Sequence, residues 1–558
     1  MSPLASRKER PWWRDAVTYQ IYPRSYADSN GDGIGDVEGI RSRLPYLKQL
    51  GIDAIWISPW YPSPQHDHGY DVSDYMDIEP DYGTLAQAET LIKEANDLGI
   101  KLIVDIVPNH TSSDHKWFQA ALKAGPGSPE RDRYMFRDGK GPNGDLPPNN
   151  WEAVFGGCAW ERVIEADGKP GQWYLHLFAV EQPDLNWENP EVVAHLEDVL
   201  KFWLDRGVAG FRIDVAHGMF KEAGLPDIRK DPAASMLGTE HKPFWDQEGV
   251  HDIYRSWRKI LDSYPGDRMA VAEAWVSPSE RIARYVRSDE LQNSFNFEML
   301  TTLWDAKEIK TKINNSIDAL EEVGAPTSWV FNNHDVVRSV DRLDLGLTNH
   351  GDTTLSRQGD PKKLNIARGT LRARSAALMT LALPGGTYLY QGEELAVPEV
   401  RDIPEDRLTD PRWKMSGFSD RGRDGCRVPM PWTSNPAGAF GFSTNASLKP
   451  EQAWLPQSPW WGTYAVDTQD GVEGSTLSMY RKALAIRKGE EGLGDGPMEW
   501  IEAGKDVVAF ERPGDFACYI NFGAPIELPS NSQVLVSSGP ITGHTLPTDT
   551  AAWVRLVS

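Results

Sequence analysis

Apolar residues along the chain fall into two alternating rhythms. Short runs rich in β-branched and aromatic residues are each followed by a stretch with helical spacing. Strand-like runs lie at 16–22, 53–58, 100–107, 208–214, 269–273, 294–297, 329–332 and 387–390. The run at 100–107 is almost unbroken, as expected of a strand buried on both faces of a parallel sheet. Helical spacing covers 37–50 up to Gly51, and a second stretch from Thr84, where Gln87 completes a capping box, to Gly99. Val192, Leu196, Val199, Leu200 and Trp203 recur at helical steps behind Asn189 and Pro190, a cap followed by a first-turn proline. Further helices are predicted near 250–262, 308–322, 365–382 and 475–487. Strands and helices in this order predict an α/β fold, a (β/α)8 barrel with long insertions.

Two stretches break the rhythm. Residues 109–178 are rich in Gly, Pro, Asn and Asp and far exceed an ordinary loop, so they are expected to form an inserted domain after the third strand. Beyond about residue 489 helical spacing stops. Short strand signals at 507–511, 517–521, 533–537 and 553–556 predict a C-terminal antiparallel β-sandwich over 489–558. The barrel is then discontinuous, 1–108 and 179–488.

Charge narrows the classes of partner. Lys and Arg number 58 against 81 Asp and Glu in 558 residues, a net charge of −23, which disfavours nucleic acid and anionic membrane. The longest mostly apolar stretch, 376–383, is too short to span a bilayer, and no apolar leader segment precedes the first strand. Three scattered cysteines, Cys158, Cys426 and Cys518, form neither a disulfide framework nor a zinc cluster. A cytoplasmic protein is expected, a monomer or small homo-oligomer with no nucleic-acid or membrane partner.

Chemistry gathers at strand ends. Asp105, with Asn109 and His110 just beyond, closes the third strand; Arg212 and Asp214 the fourth; Glu273 the fifth; His334 and Asp335 follow the seventh. A barrel presents such positions at its C-terminal mouth. Carboxylates without a metal cluster suit a glycosidic bond, which needs one carboxylate and one carboxylic acid flanking it. Asp214 and Glu273 can supply them, with Arg212 keeping Asp214 ionised, and the pattern alone does not choose nucleophile from acid. Trp12, Trp56, Trp60, Tyr61, Tyr70, Trp160 and Trp173, near loops or strand ends, offer faces for sugar rings or fill the core. Neither a phosphate-binding glycine loop nor a GxSxG elbow is present. Asp28, Asn30, Asp32, Ile34 and Asp36 place oxygen donors at alternate positions of a glycine-rich loop, which suits Ca²⁺ or Mg²⁺ or else forms an Asx-rich turn; Gly39 stands where an EF-hand carries its closing glutamate.

In combination these motifs resemble the α-amylase family of glycoside hydrolases, family 13, and within it the α-glucosidase and oligo-1,6-glucosidase branch. The resemblance rests on YQIYPRSYADSNGDGIGD at 19–36, HGYDVSDY at 68–75, DIVPNH at 105–110, QPDLNW at 182–187, GFRIDVAH at 210–217, AEAW at 272–275, FNNHD at 331–335 and GRDGCRVPMPW at 422–432. It implies that Asp214 is the nucleophile, Glu273 the general acid/base with a raised pKa, and Asp335 a transition-state stabiliser. It further implies that His110 and His334 bind sugar hydroxyls, and that Tyr22 and Tyr75 line the pocket. Asp71 would hold the terminal glucose, paired with Arg423 or, in reserve, Arg427. Asp28, Asn30, Asp32, the Ile34 carbonyl and Asp36 would hold a structural Ca²⁺ or Mg²⁺, with no cofactor in catalysis. Val215 resembles α-1,6-acting relatives, whereas the residues after it and Cys426 within GCR depart from the common pattern.

The function so implied is a retaining, exo-acting α-glucosidase on small α-glucosides such as maltose, isomaltose, short oligosaccharides or sucrose. The alternatives are a transglucosylase or disaccharide isomerase with the same site and, more remotely, a non-catalytic sugar-binding scaffold or a metal-dependent hydrolase.

Overall fold

The computed structural model describes residues 7, 9–228, 242–347 and 359–557. Eight parallel strands form one sheet: β1 Val17–Ile21, β2 Ala54–Ile57, β3 Lys101–Ile106, β4 Gly210–Ile213, β5 Met269–Ala272, β6 Asn293–Ser294, β7 Ser328–Val330 and β8 Gly386–Tyr390. The hydrogen-bonded order is β7-β8-β1-β2-β3-β4-β5-β6, and a parallel bridge from Asn296 to Trp329 joins the two ends. That closure makes the sheet a barrel. Its interior is filled by side chains from successive strands, among them Trp56, Ile103, Val271, Val330 and Tyr388.

Local sequence explains where elements start and stop. Thr84 and Gln87 form the expected capping box at the head of Leu85–Asp97. The stretch expected as one helix over 37–50 is two, Val37–Ser42 and Leu44–Leu50. Pro45 lacks the N–H that would continue the first helix and sits in the opening turn of the second, which ends at Gly51 with φ +95°. The run at 294–297 leaves the sheet after Ser294. The Asn296 side chain accepts from the Glu298 and Met299 amides and starts a short helix, Phe297–Leu300.

Between β3 and β4 lies a three-stranded antiparallel sheet, in the order Phe136–Arg137, Pro170–Leu175, Trp160–Ile164. Its apolar cluster of Met135, Trp151, Trp160, Leu175 and Leu177 also takes in Phe244, from beyond β4. Pairing continues past residue 178, for Asp184 bridges to His110 and its carbonyl accepts from the Met135 amide. At the C-terminus a five-stranded antiparallel sheet, with a two-stranded one (Ile526–Glu527 and Thr545–Leu546) beside it, packs on the barrel helix Ile366–Ala382. Trp553 Nε1 donates to the Leu378 carbonyl (2.9 Å) and Ser375 Oγ to that of Asp549 (2.7 Å).

Candidate active site

Strand register sets the first contacts. Asp105 on β3 lies level with Arg212 on β4, and Arg212 level with Val271 on β5, so one guanidinium is enclosed by three strand ends. A β-carbon on Gly210 would run into the Met269 carbonyl, so only glycine lets β4 approach β5 this closely.

Arg212 is fully buried and collects three carboxylates. Its Nη1 lies 3.0 Å from both Asp105 oxygens and 2.6 Å from Asp214 Oδ1, and its Nη2 is 2.7 Å from Glu273 Oε2. The guanidinium also lies over the Trp56 ring, 4.9 Å from its centroid. One cation among three buried acids cannot keep all of them ionised. Burial, then Glu273, raises Asp105 to about 7 despite Arg212. Asp214 is pushed well above the usual carboxylate range, first by burial and then by Glu273 and Asp105 against the pull of Arg212. The Glu273 carboxylate beside it thus adds to the rise at Asp214.

Asp335 lies in the opposite regime. Arg423 Nη1 and Arg427 Nη2 each stand 2.9 Å from its Oδ1, and His334 Nε2 is 3.3 Å from its Oδ2. Burial alone would raise its pKa, but His334, Arg423 and Arg427 outweigh it and hold the carboxylate ionised, well below its ordinary range. Gln20 Nε2 donates to His334 Nδ1 (2.7 Å), and burial keeps that imidazole neutral, so its proton sits on Nε2. Tyr70 stacks on one side of His334 at 5.2 Å between centroids, and Tyr22 at 5.6 Å.

The remaining expected residues divide. Arg423 does not pair with Asp71. Its Nη2 meets Asp67 Oδ1 at 2.8 Å and its Nε meets Asp410 Oδ2 at 2.6 Å. Asp71 is fully buried and spent on its own loop, accepting from Ser63 Oγ (2.8 Å), the His66 amide (2.9 Å) and the Asp67 amide (3.1 Å). The two carboxylates stand four residues apart on one loop, Asp67 just before the HGYDVSDY motif and Asp71 within it, and only the fold of the loop tells them apart. Tyr75 likewise stands behind the site rather than in it. Its hydroxyl donates to the carbonyls of Val107 and His110, 2.8 Å each, while Tyr70 faces the carboxylates, its hydroxyl 3.1 Å from Asp105 Oδ2. His110 is neutral, its pKa lowered by burial to about 4. Its Nε2 donates to the Tyr70 carbonyl (3.1 Å) beside Gln182, whose amide also donates to Asp67 Oδ2 (3.2 Å). Val215 follows Asp214 with φ +43°.

The 28–36 loop is held apart from this cluster, against 442–454. Asp28 exchanges backbone hydrogen bonds with Phe442 and Thr444, and the Trp454 amide donates to the Gly33 carbonyl. Asp28 accepts from the Gly31 (2.6 Å) and Gly33 (2.8 Å) amides, and Asp36 from the Ser29 (2.8 Å) and Gly39 (2.6 Å) amides. Burial raises the pKa of Asp32, with Asp28 and Asp36 adding to it, so the three lie in one field. Among the described residues no three acidic, His or Cys side chains converge as a metal cage. A cation on this loop would therefore rest on Asn30 and carbonyl oxygens as much as on carboxylates, which suits a hard ion.

Comparison with known proteins gives the same picture. The family model described as "Alpha amylase, catalytic domain" matches residues 20–496. A probable alpha-glucosidase of Rhizobium meliloti (strain 1021) is 37% identical over 554 residues, covering 96% of this chain and 93% of its own. An oligo-1,6-glucosidase of Parageobacillus thermoglucosidasius is 37% identical over 511 residues, covering 86% and 84%. Among solved structures, an alpha-glucosyl transfer enzyme superposes with a TM-score of 0.84 at 34% identity, over 98% of this chain and 100% of that one.

Proposed function

The chain belongs to the α-amylase family, and from that premise we propose the following division of labour in an α-glucosidase that releases α-glucose from the non-reducing end of small α-glucosides. It is a glycoside hydrolase with relatives named alpha-glucosidase and oligo-1,6-glucosidase. The observation that carries the mechanism is the single guanidinium of Arg212 binding Asp214 and Glu273 together, 2.6 Å from one and 2.7 Å from the other.

In the first step Asp214 attacks the anomeric carbon while Glu273 gives its proton to the glycosidic oxygen. The C1–O bond breaks, a C1–Oδ bond forms and the aglycone leaves as an alcohol. Arg212 supports Asp214 as its proton passes to the neighbour. Glu273, now ionised, takes a proton from water, which attacks C1 and frees glucose with its α configuration retained. Ionised Asp335, fixed by Arg423 and Arg427, faces the positive charge that develops on the ring. His334 Nε2 donates to a hydroxyl of the bound glucose. Asp67 and Arg423 grip its far end and close the pocket to further sugars, which makes the action exo.

We assign the 28–36 loop to a structural Ca²⁺ that Asp28, Asn30, Asp32, the Ile34 carbonyl and Asp36 would hold once the carboxylates turn from their loop amides towards it, an ion that would neutralise the loop acids and take no part in the reaction. Among the described residues no helix is long and apolar enough to cross a membrane, and Cys158, Cys426 and Cys518 are all unpaired. The unpaired cysteines support a reducing compartment, which we take to be the cytoplasm. A second reading, transfer of glucose to a sugar hydroxyl, is supported by the 34% identity to a glucosyl transfer enzyme and by the partly exposed Trp275 stacked on Phe297 at 3.9 Å, two residues past Glu273.

Proton NMR of the protein with equal maltose and isomaltose separates the readings. Hydrolysis gives α-glucose before mutarotation, and the sugar consumed first reveals the linkage preference. Accumulating tri- and tetrasaccharides, or a rearranged disaccharide, identify a transferase or isomerase. An initial product of β-glucose would overturn the retaining mechanism.

A further inference from the structure

Twelve non-glycine residues among those described have positive φ, and Val215 is the one that is β-branched. Branching at Cβ makes this backbone region a true outlier, so the surroundings must impose it. They do so from both sides. The Asp214 amide donates to the Ile106 carbonyl and the Ala216 amide to the Glu273 carbonyl, each at 2.9 Å. The Gly218 amide returns to the Val215 carbonyl at 2.9 Å, and the Tyr254 hydroxyl donates to the carbonyl of Ala216.

The consequence is a contact at the reacting group. The turn aims the Val215 amide at Glu273 Oε2, 3.2 Å away, on the oxygen that also forms the ion pair with Arg212 Nη2 at 2.7 Å. A carboxylate oxygen has two lone-pair directions. One direction on Oε2 is taken by the Val215 N–H and the guanidinium charge stands against the same oxygen, so the proton of Glu273 belongs on Oε1. We propose that Val215 is a positioning residue of the acid/base, acting through its strained backbone: its N–H, with Arg212, pins Oε2 and so delivers the catalytic proton from Oε1. The inference rests on the α-glucosidase reading and adds a second role to a position where the side chain alone would be credited with linkage preference. Among the described residues the charged and titratable groups facing Glu273 are Arg212 on β4, Asp214 just past its end, Asp105 on β3 and the buried His217 beyond, none of which offers a second amide to Oε2.

Backbone and side chain are separable experimentally. Replacing Val215 by α-hydroxyvaline, through suppression of a stop codon, keeps the side chain and exchanges the N–H for an ester oxygen. Val215→Gly removes the side chain, keeps the N–H and accepts the positive φ. The ester is expected to lower kcat on maltose or isomaltose about tenfold, the scale of one hydrogen bond to a charged group. An aryl glucoside with a good leaving group, which needs little proton donation, should lose less than about twofold in the same step. The alkaline limb of the kcat/KM profile should move to higher pH, because the donor that favours ionised Glu273 is gone. Val215→Gly should keep the wild-type limb and the wild-type ratio between the two substrates. An ester with an unmoved limb and equal losses on both substrates overturns the proposal, as does a glycine variant that reproduces the ester's shift. Wild-type protein inert on every α-glucoside would instead overturn the functional reading beneath it, and this inference with it.

Discussion

Arg212 brings one positive charge to Asp105, Asp214 and Glu273, all of them buried, and that imbalance is what leaves a proton in the site at neutral pH. Removing the guanidinium from three buried acids costs about 3–5 kcal/mol by the usual measure of a broken buried pair. Arg212→Met should therefore lower the midpoint of denaturant unfolding and abolish turnover, and Arg212→Lys, one ammonium in place of a fork, should fold but lose over about 100-fold in kcat. At the other end of the pocket, Asp67→Asn breaks the pair with Arg423 and should reduce kcat/KM about 10- to 100-fold, the cost of an unmet buried charge. Asp71→Asn should instead lower stability, since its carboxylate holds loop amides. Steady-state kinetics and unfolding midpoints for the two variants decide between them. The three carboxylates proposed for the chemistry, Asp214, Glu273 and Asp335, were legible because carboxylates at strand ends are costly unless used. The Asp67–Arg423 pair was not, because Asp67 and Asp71 are alike in type and neighbourhood and differ only in which way the 63–71 loop turns. The same holds for Tyr70 and Tyr75.

At the scale of elements, strands β7 and β8 deliver loops that fix Asp335 from behind. Helix Ser339–Leu345 starts beside it, where the Arg338 amide donates to Glu399 Oε2 at 3.0 Å and the Arg338 guanidinium donates to the carbonyls of Gln391 (2.9 Å) and Cys426 (2.8 Å). Burial raises Glu399 to about 8, with Asp341 adding to it and Arg338 opposing. A carboxyl raised from an ordinary value near 4.3 binds extra protons in the native state between those two pH values. Stability from this group is thus present at acid pH and lost as pH climbs to about 8. Glu399→Gln should make the unfolding midpoint less sensitive to pH across that window, its advantage over wild type growing towards pH 8 and then levelling. A constant difference from pH 5 to pH 9 would contradict this. Periodicity located all eight barrel strands to within a few residues. It missed the break at Arg43, because apolar spacing carries on through Pro45, and it ran a strand through Asn296, whose side chain ends the sheet by capping a helix.

For the molecule as a whole, the barrel holds the site and the appended parts hold its rim. The inserted segment contributes Phe155, from the turn before Trp160–Ile164, whose ring lies 5.2 Å from the Arg423 guanidinium, while the C-terminal sheet packs on the barrel's outer helix. The 28–36 loop, which follows β1, is tied by backbone hydrogen bonds to the 442–454 segment, so an ion bound there would act on cohesion. Excess chelator is expected to lower the thermal midpoint by several degrees while initial rates at 25 °C stay within about twofold, and added Ca²⁺ should restore the midpoint. Instant loss of activity without unfolding would instead put the metal in the reaction. The central claim is that a glucosyl group is held covalently by Asp214, and it is tested most directly by trapping that species. The protein is incubated with 5-fluoro-α-glucosyl fluoride, which forms the intermediate faster than it is hydrolysed, then digested and sequenced by mass spectrometry. One fluoroglucosyl group on Asp214, lost again when a sugar acceptor is added before digestion, is the predicted result. A label on Glu273, or an inactive complex with no covalent sugar, would contradict the account.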